Sequence, residues 1–258
     1  MEKMIKEIAG YWSNAKHTVV FSGAGMSTDS GLPDFRSAQG LWKMRPESLA
    51  TMQALRTMPD EAYYFYQWRI EKLWDIQPNL GHELIAKLQA AGKVQSVLTQ
   101  NVDGLHQRAG ATAVTELHGT LSTVSCIKCK AVYDSRQLLP KEPLPPSSFP
   151  EHGYRHGAEC YCPKCQGMLR PDVVLFGEQL PTVAWEQSIM ESQRADFFVT
   201  LGSSLVVSPA NYCPEAAVRN GAKLLIVNND PTHLDDIATW VIRKNISATL
   251  SKIYSAMV

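Results

Sequence analysis

The sequence predicts an α/β fold, a doubly wound parallel Rossmann-like sheet with a smaller appended unit. Three observations predict it. Short apolar runs of strand length recur along the 258 residues, helical patterns lie between several of them, and a glycine-rich turn follows the first run. The runs are Thr18–Phe21, Val94–Thr99, Val114–Leu117, Val173–Phe176, Phe197–Leu201 and Leu224–Val227. Strands that are apolar on both faces and alternate with helices imply a parallel sheet covered by helices. In such a sheet ligands sit beyond the carboxyl ends of the strands.

The elements follow in order. Met4, Ile5, Ile8, Tyr11 and Trp12 recur at helical spacing, so the chain opens with an amphipathic helix. Leu84, Ile85 and Leu88 mark a second helical face, with Gly92 as its stop, and a third runs over Glu215–Arg219 to Asn220-Gly221. Two segments break the alternation. Residues 38–78 hold aromatics and helix formers without a strand pattern. Residues 123–169 hold two C-x-x-C pairs and a proline-rich stretch from Pro140 to Pro150. The expected partition is a discontinuous Rossmann-like domain over residues 1–37, 79–122 and 170–258. The smaller domain joins the helical excursion 38–78 to a zinc-ribbon module over 123–169.

Composition narrows the function classes. Lys plus Arg and Asp plus Glu are each 25, so the formal net charge is zero. No basic excess points to a nucleic-acid or membrane surface, and neither partner is expected. No window approaches the roughly 18 apolar residues of a membrane span. Glu2, Lys3, Lys6 and Glu7 interrupt the N-terminus, which does not read as a signal peptide. The expected location is the cytoplasm, where six cysteines suggest metal ligation or packing before disulfides.

The strand Thr18–Phe21 runs straight into Ser22-Gly23-Ala24-Gly25-Met26-Ser27-Thr28. Glycines after a strand let backbone amides approach a phosphate, and a following helix N-terminus adds positive dipole. The loop departs from G-x-G-x-x-G, because the next glycine is Gly31, and no acidic residue closes a second strand about 20 residues on. A pyrophosphate loop and a tight turn that needs glycine for steric reasons alone both remain open.

Cys126-Ile127-Lys128-Cys129 and Cys162-Pro163-Lys164-Cys165 are two knuckles that can point four thiolates at one tetrahedral Zn²⁺. A redox C-x-x-C is the rival, but two pairs in one excursion favour metal. Four thiolates leave no open coordination position, so the expected zinc is structural.

The loop and its continuation, Gly31-Leu32-Pro33-Asp34-Phe35-Arg36, resemble the sirtuin signature GAG-x-S-x-x-x-G-I-P-D-F-R, with Leu for Ile at position 32. Further motifs of that family follow in order. They are Thr99-Gln100-Asn101-Val102-Asp103-Gly104-Leu105-His106, His118-Gly119, the two knuckles, and Leu201-Gly202-Ser203-Ser204. The resemblance, of a bacterial type, covers nearly the whole chain. It fixes the register of the zinc ligands as Cys126, Cys129, Cys162 and Cys165, leaving Cys160 and Cys213 as bystanders.

The resemblance implies an NAD-consuming protein-lysine deacylase. In that chemistry the acyl oxygen displaces nicotinamide, a general base removes a proton from a ribose hydroxyl, and lysine and O-acyl-ADP-ribose leave. His118 coincides with the family's base, and an imidazole with an unperturbed pKa of about 6.5 suits that task near neutral pH. His106 has no such support. Asn101 and Asp103 are implied to orient the ribose and the nicotinamide amide, with Phe35 shielding the reacting carbon. Gly23, Ala24, Gly25, Thr28, Asp34, Arg36, Gln100, Val102, Gly202, Ser203, Ser204 and Asn228 complete the implied NAD contacts. Val174, Phe176, Gly177 and Glu178 resemble the segment that pairs with an acyl-lysine protein or peptide as an added strand.

Tyr66 and Arg69 lie three apart, hence on one helix face. Family members that remove succinyl or malonyl groups resemble this Tyr-x-x-Arg pattern, in which an Arg fork pairs with the distal carboxylate. A surface Arg beside a core aromatic is the competing reading. The expectation is deacetylation with some acidic deacylation. Its enzymatic rival is protein mono-ADP-ribosylation from the same NAD site. A non-catalytic NAD-binding scaffold would have little need for Asn101, Asp103 and His118 together, and a dehydrogenase fits the loop least.

Overall fold

In a computed structural model of the protein, residues 1–38, 40–144 and 154–258 are described. Nine strands are found among them: β1 Thr18–Ser22, β2 Ser96–Thr99, β3 Val114–Glu116, β4 Gly119–Cys126, β5 Val132–Asp134, β6 Leu169–Val173, β7 Phe197–Leu201, β8 Lys223–Val227 and β9 Trp240–Ile242. Six form one sheet in the order β3-β2-β1-β7-β8-β9, with every neighbouring pair parallel. The chain winds outward from β1 in one direction through β2 and β3, then returns to β7 and winds the other way. The switch point therefore lies between the carboxyl ends of β1 and β7, where such folds hold ligands.

Side-chain alternation divides the core into two faces. Val20, Val97, Val199 and Leu225 pack with the helices Glu2–Asn14, Leu80–Ala90 and Ile246–Met257. Val19, Phe21, Leu98, Phe198 and Leu224 pack on the opposite face with Cys213 and Ala217 of the helix Tyr212–Arg219. Trp185 and Ile189 of the helix Thr182–Arg194 cover that second face. The opening helix is anchored by Trp12, fully buried, whose indole donates to the Lys93 carbonyl at 2.8 Å. Removing that ring would cost about 3–5 kcal/mol.

The remaining strands form an antiparallel sheet in the order β5-β4-β6. A third cluster joins this sheet to the helical excursion, where Leu55, Tyr63, Phe65, Tyr66 and Ile70 pack with Leu121, Val124, Leu138 and Leu169. The excursion is built around the helix Pro59–Asp75, preceded by the short helices Leu41–Met44 and Met52–Thr57. Residues 145–150 of the proline-rich stretch lie outside the described residues.

The strand expected at Val173–Phe176 is a correction. Strand β6 ends at Val173 and belongs to the small sheet, where Leu169, Pro171 and Val173 alternate inward. Residues 174–176 leave as a loop, pinned by the Val174 amide on the His118 carbonyl and by a Thr51–Phe176 bridge. The expected divisions at 122/123 and 169/170 accordingly fall inside β4 and β6. No described helix is long and apolar enough to cross a membrane.

Candidate active site

The floor of the cleft is backbone, and sterics explain its glycines. A Cβ on Gly23 would meet the Gly202 carbonyl oxygen at 2.8 Å, and one on Gly25 would meet the Gly202 Cα at 2.8 Å. Gly202 itself sits at φ +62°, with any Cβ 2.4 Å from the Met26 nitrogen. The amides of Gly23 and Gly25 donate to the carbonyls of Leu201 and Gly202, locking β1 to β7 across the switch point. The steric reading left open above accounts for these glycines, and it is compatible with a phosphate on the same loop. Ala24 opens a 3₁₀ helix, Ala24–Ser30, so its N–H has no intrahelical acceptor. Thr28 turns away, is exposed, and its hydroxyl donates to the Gly25 carbonyl.

The polar strand ends converge on this floor. Asn101 is buried, and its Nδ2 donates to the Gly23 carbonyl and to Ser27 Oγ, each at 3.1 Å. Ser27 Oγ donates to Asp103 at 2.7 Å, and the other Asp103 oxygen accepts from the Leu105 amide at 3.0 Å. The pair Asn101 and Asp103 is thus held rigidly by a serine that sequence reasoning left out of the site. Ser27 is separated from Asp103 by 76 residues, so only its place inside the glycine motif could have marked it. Gln100 Nε2 donates to Ser203 Oγ at 2.7 Å, linking the ends of β2 and β7.

His118 follows β3. Its Nδ1 lies 3.1 Å from the Gln100 carbonyl, an acceptor only, so Nδ1 carries the hydrogen and Nε2 keeps its lone pair. Nε2 has no hydrogen-bond partner among the described residues. Burial lowers the His118 pKa, and the Gln100 carbonyl pulls in the opposite direction. The imidazole is therefore a neutral base at pH 7.

Around this floor stands one cleft with about 1810 Å³ between its walls, its open mouth included. Its lining runs from the glycine floor to Arg69 and to the segment 174–178. Every expected site residue of the cofactor, catalytic and substrate sets lines it except Thr28. Val102, Ser204 and Asn228 are among them, Asn228 with its Nδ2 on the Asp230 carbonyl at 2.8 Å. Asp34 caps its own turn by accepting from the Ser37 amide, and the Arg36 guanidinium reaches Glu47 at 3.3 Å.

The helix Pro59–Asp75 supplies one wall. Tyr66 is buried, and burial pushes its hydroxyl up to about 12. The Arg69 guanidinium lies 5.5 Å from the Phe35 ring centroid and 5.4 Å from that of Phe65, and desolvation lowers its pKa. Among the described residues it has no ion pair. The facing segment is already braced. Glu178 takes both Arg170 nitrogens, at 2.6 and 2.9 Å, and accepts the Leu175 amide. Its carboxylate is engaged within the chain. Among the described residues, the Gly177 amide and the carbonyls of Val174 and Gly177 have no backbone hydrogen bond and are available to an added strand.

The four predicted thiols come together, with all Sγ atoms within 4.8 Å of one another. The Cys126–Cys165 and Cys129–Cys162 separations are 3.5 and 3.6 Å. Sulfurs at 2.3 Å from a tetrahedral Zn²⁺ would lie about 3.8 Å apart, so the set fits the metal. Lys130 at φ 61° and Gln166 at φ 58° close the two knuckles in matching left-handed turns. Cys160 stands outside the cluster, fully buried near Gln67.

The model of the Sir2 family matches residues 23–209, well over half of the chain. The NAD-dependent protein deacetylase 1 of Geobacillus kaustophilus is 47% identical over 249 residues, 95% of this chain and 96% of the relative. The NAD-dependent protein deacylase 2 of Pyrobaculum aerophilum is 40% identical, covering 95% and 93%. Among solved structures, a Sir2 protein with a deacetylated p53 peptide and 3'-O-acetyl-ADP-ribose has a TM-score of 0.86 at 36% identity, with 97% of each chain covered. Another, holding a p53 peptide and NAD⁺, has a TM-score of 0.84 at 35% identity, again with 97% of each chain covered. With its motifs, its sheet order and its cysteine cluster all in agreement, the chain belongs to the Sir2 family.

Proposed function

We propose that the protein is an NAD-dependent protein-lysine deacetylase that transfers the acyl group to ADP-ribose and releases nicotinamide. NAD is consumed as co-substrate and supplies the ADP-ribose acceptor. The observation that carries the reading is the anchored His118 ring. Its Nδ1 is fixed on the Gln100 carbonyl and its Nε2 has no partner among the described residues, in the cleft that also holds Asn101 and Asp103.

In this reading His118 Nε2 takes a proton from a ribose hydroxyl, a step that contributes about 10²–10⁴-fold. Asn101 and Asp103, braced by Ser27, orient the ribose and the nicotinamide amide. Phe35 covers the reacting carbon and excludes water. Gln100, Ser203 and Asn228 receive the adenosine side, with Ala24 at the phosphates. Cys126, Cys129, Cys162 and Cys165 hold a structural zinc that ties β4 and β6 into one sheet. The open groups of Val174 and Gly177 pair with an acyl-lysine peptide. The free thiols of the chain suit a reducing cytoplasm.

The Arg69 guanidinium, without an ion pair among the described residues and set among aromatic rings, favours acceptance of acyl groups that end in a carboxylate. The activity is accordingly deacetylation with some desuccinylation or demalonylation. Incubation with NAD and a panel of acyl-lysine peptides, read by mass spectrometry, tests the proposal. O-acyl-ADP-ribose with free lysine is the expected outcome. ADP-ribose attached to protein, with no acyl transfer, would make the enzyme a mono-ADP-ribosyltransferase instead.

A further inference from the structure

Beneath the polar strand ends runs a buried hydrogen-bond chain to which the deacylase reading gives no role. Thr99 Oγ1 accepts the Asn101 backbone amide at 3.0 Å and the Ser22 hydroxyl at 2.9 Å. Ser22 Oγ in turn lies 2.9 Å from His106 Nε2. A hydroxyl carries one hydrogen, and that of Ser22 is committed to Thr99. His106 Nε2 must therefore be the donor, which leaves Nδ1 as an acceptor. Ser22, Thr99, Asn101 and His106 are all buried.

A second histidine sets the complementary tautomer beside it. The Asn79 amide donates to His82 Nδ1 at 3.3 Å, so His82 Nε2 carries the hydrogen. The unpartnered His82 donor and the unpartnered His106 acceptor sit on edge-to-face rings 4.8 Å apart. His82 is the third residue of the helix Leu80–Ala90 and completes a capping box with the N-cap residue Asn79, so the ring packed against His106 is fixed on a rigid element.

From His106 the chain closes on itself. Asn101 reaches Ser27, Ser27 reaches Asp103, and Asp103 holds the Leu105 amide next to His106. We propose that His106 is a positioning residue that fixes Asn101 through Ser22 and Thr99. Burial keeps both rings neutral at pH 7, with pKa values lowered to about 3 for His106 and about 4 for His82. For its kinetic readout the inference rests on the deacylase reading.

Three variants test it. His106→Leu removes the donor, Ser22→Ala cuts the chain while leaving both imidazoles in place, and His106→Gln restores an N–H of similar reach. At saturating NAD, the first two lower kcat about tenfold, the loss of one ordering hydrogen bond, with KM for the acyl peptide within twofold. His106→Gln recovers most of the rate. A mere core-filling role predicts unchanged kcat in Ser22→Ala and equal losses in both His106 variants, and that result overturns the proposal. Hydrogen exchange at the Asn101 amide decides it independently of turnover. Faster exchange in Ser22→Ala supports the chain, and unchanged protection refutes it even if wild type shows no deacylation. Absent deacylation in wild type, alone, would sink only the reading of function.

Discussion

The floor of the cleft and its wall are built by different means. The floor, at β1 and β7, is nearly all backbone, with glycines packed against the neighbouring strand and amides bonded across the switch point. The wall is made of side chains brought together from far apart in sequence, such as Phe35 beside Arg69 and Tyr63 donating to the Leu169 carbonyl at 2.7 Å. Backbone geometry recruits contiguous residues, so the floor is written in compact motifs. A side-chain wall can be repacked while the floor stays fixed, and the proposed function puts NAD on the floor and acyl selectivity on the wall.

The sharpest way to separate the two is to remove the metal from the wall. Cys129→Ser, or treatment with a strong thiol-competing chelator, should loosen the β4–β6 unit and abolish turnover, since a four-thiolate zinc site contributes folding energy directly. Limited proteolysis should cut first within residues 120–175, while the helical far-ultraviolet signal largely remains. First cleavage within the parallel sheet would break the comparison.

On the floor, Gly202→Ala forces a Cβ into the Met26 backbone at a left-handed residue. Strain of this kind costs about 1–3 kcal/mol, and the expected loss in kcat/KM for NAD is about 100-fold with a far smaller change in peptide KM. An equal loss for both substrates would deny that the floor serves NAD alone.

Arg69→Met probes the wall without touching the floor. Loss of a charge-assisted pair should lower succinyl-peptide kcat/KM about 10- to 100-fold and leave acetyl turnover within about threefold. Absent succinyl turnover, or turnover that the substitution leaves unchanged, would return Arg69 to a packing role.

The smallest effect is on pH. With His118 as the proposed base, activity needs its neutral form, and burial lowers its pKa, so the ring stays neutral further into acid than a free imidazole. The acid limb of kcat/KM should therefore have its midpoint below about 6.5. A midpoint above that value contradicts the buried, Gln100-anchored ring.

What could be read in advance follows the same division. Strands β1, β7 and β8 were legible within a residue because they are buried on both faces. Strand β4 was not, since its serines and threonines hide an inward pattern interrupted by an irregular register between Gly119 and Val124. Pro171 disguised β6 and shifted the expected strand onto the loop after it. At the site, Asn101, Asp103, His118 and the four cysteines were legible as motif residues, and the cleft and cluster hold them together. Thr28 shares the same motif yet turns outward, because position within a motif does not state which way a 3₁₀ turn points a side chain. Ser27 and His106 act through partners more than 70 residues away, which one sequence does not display.

The central claim is that His118 acts as a base after nicotinamide has left. The direct test compares wild type with His118→Ala in two assays, exchange of labelled nicotinamide into NAD in the presence of acyl peptide, and release of free lysine. Exchange should persist in the variant while lysine release falls by about 10²–10⁴-fold. Lysine release at the wild-type rate in the variant would contradict the account.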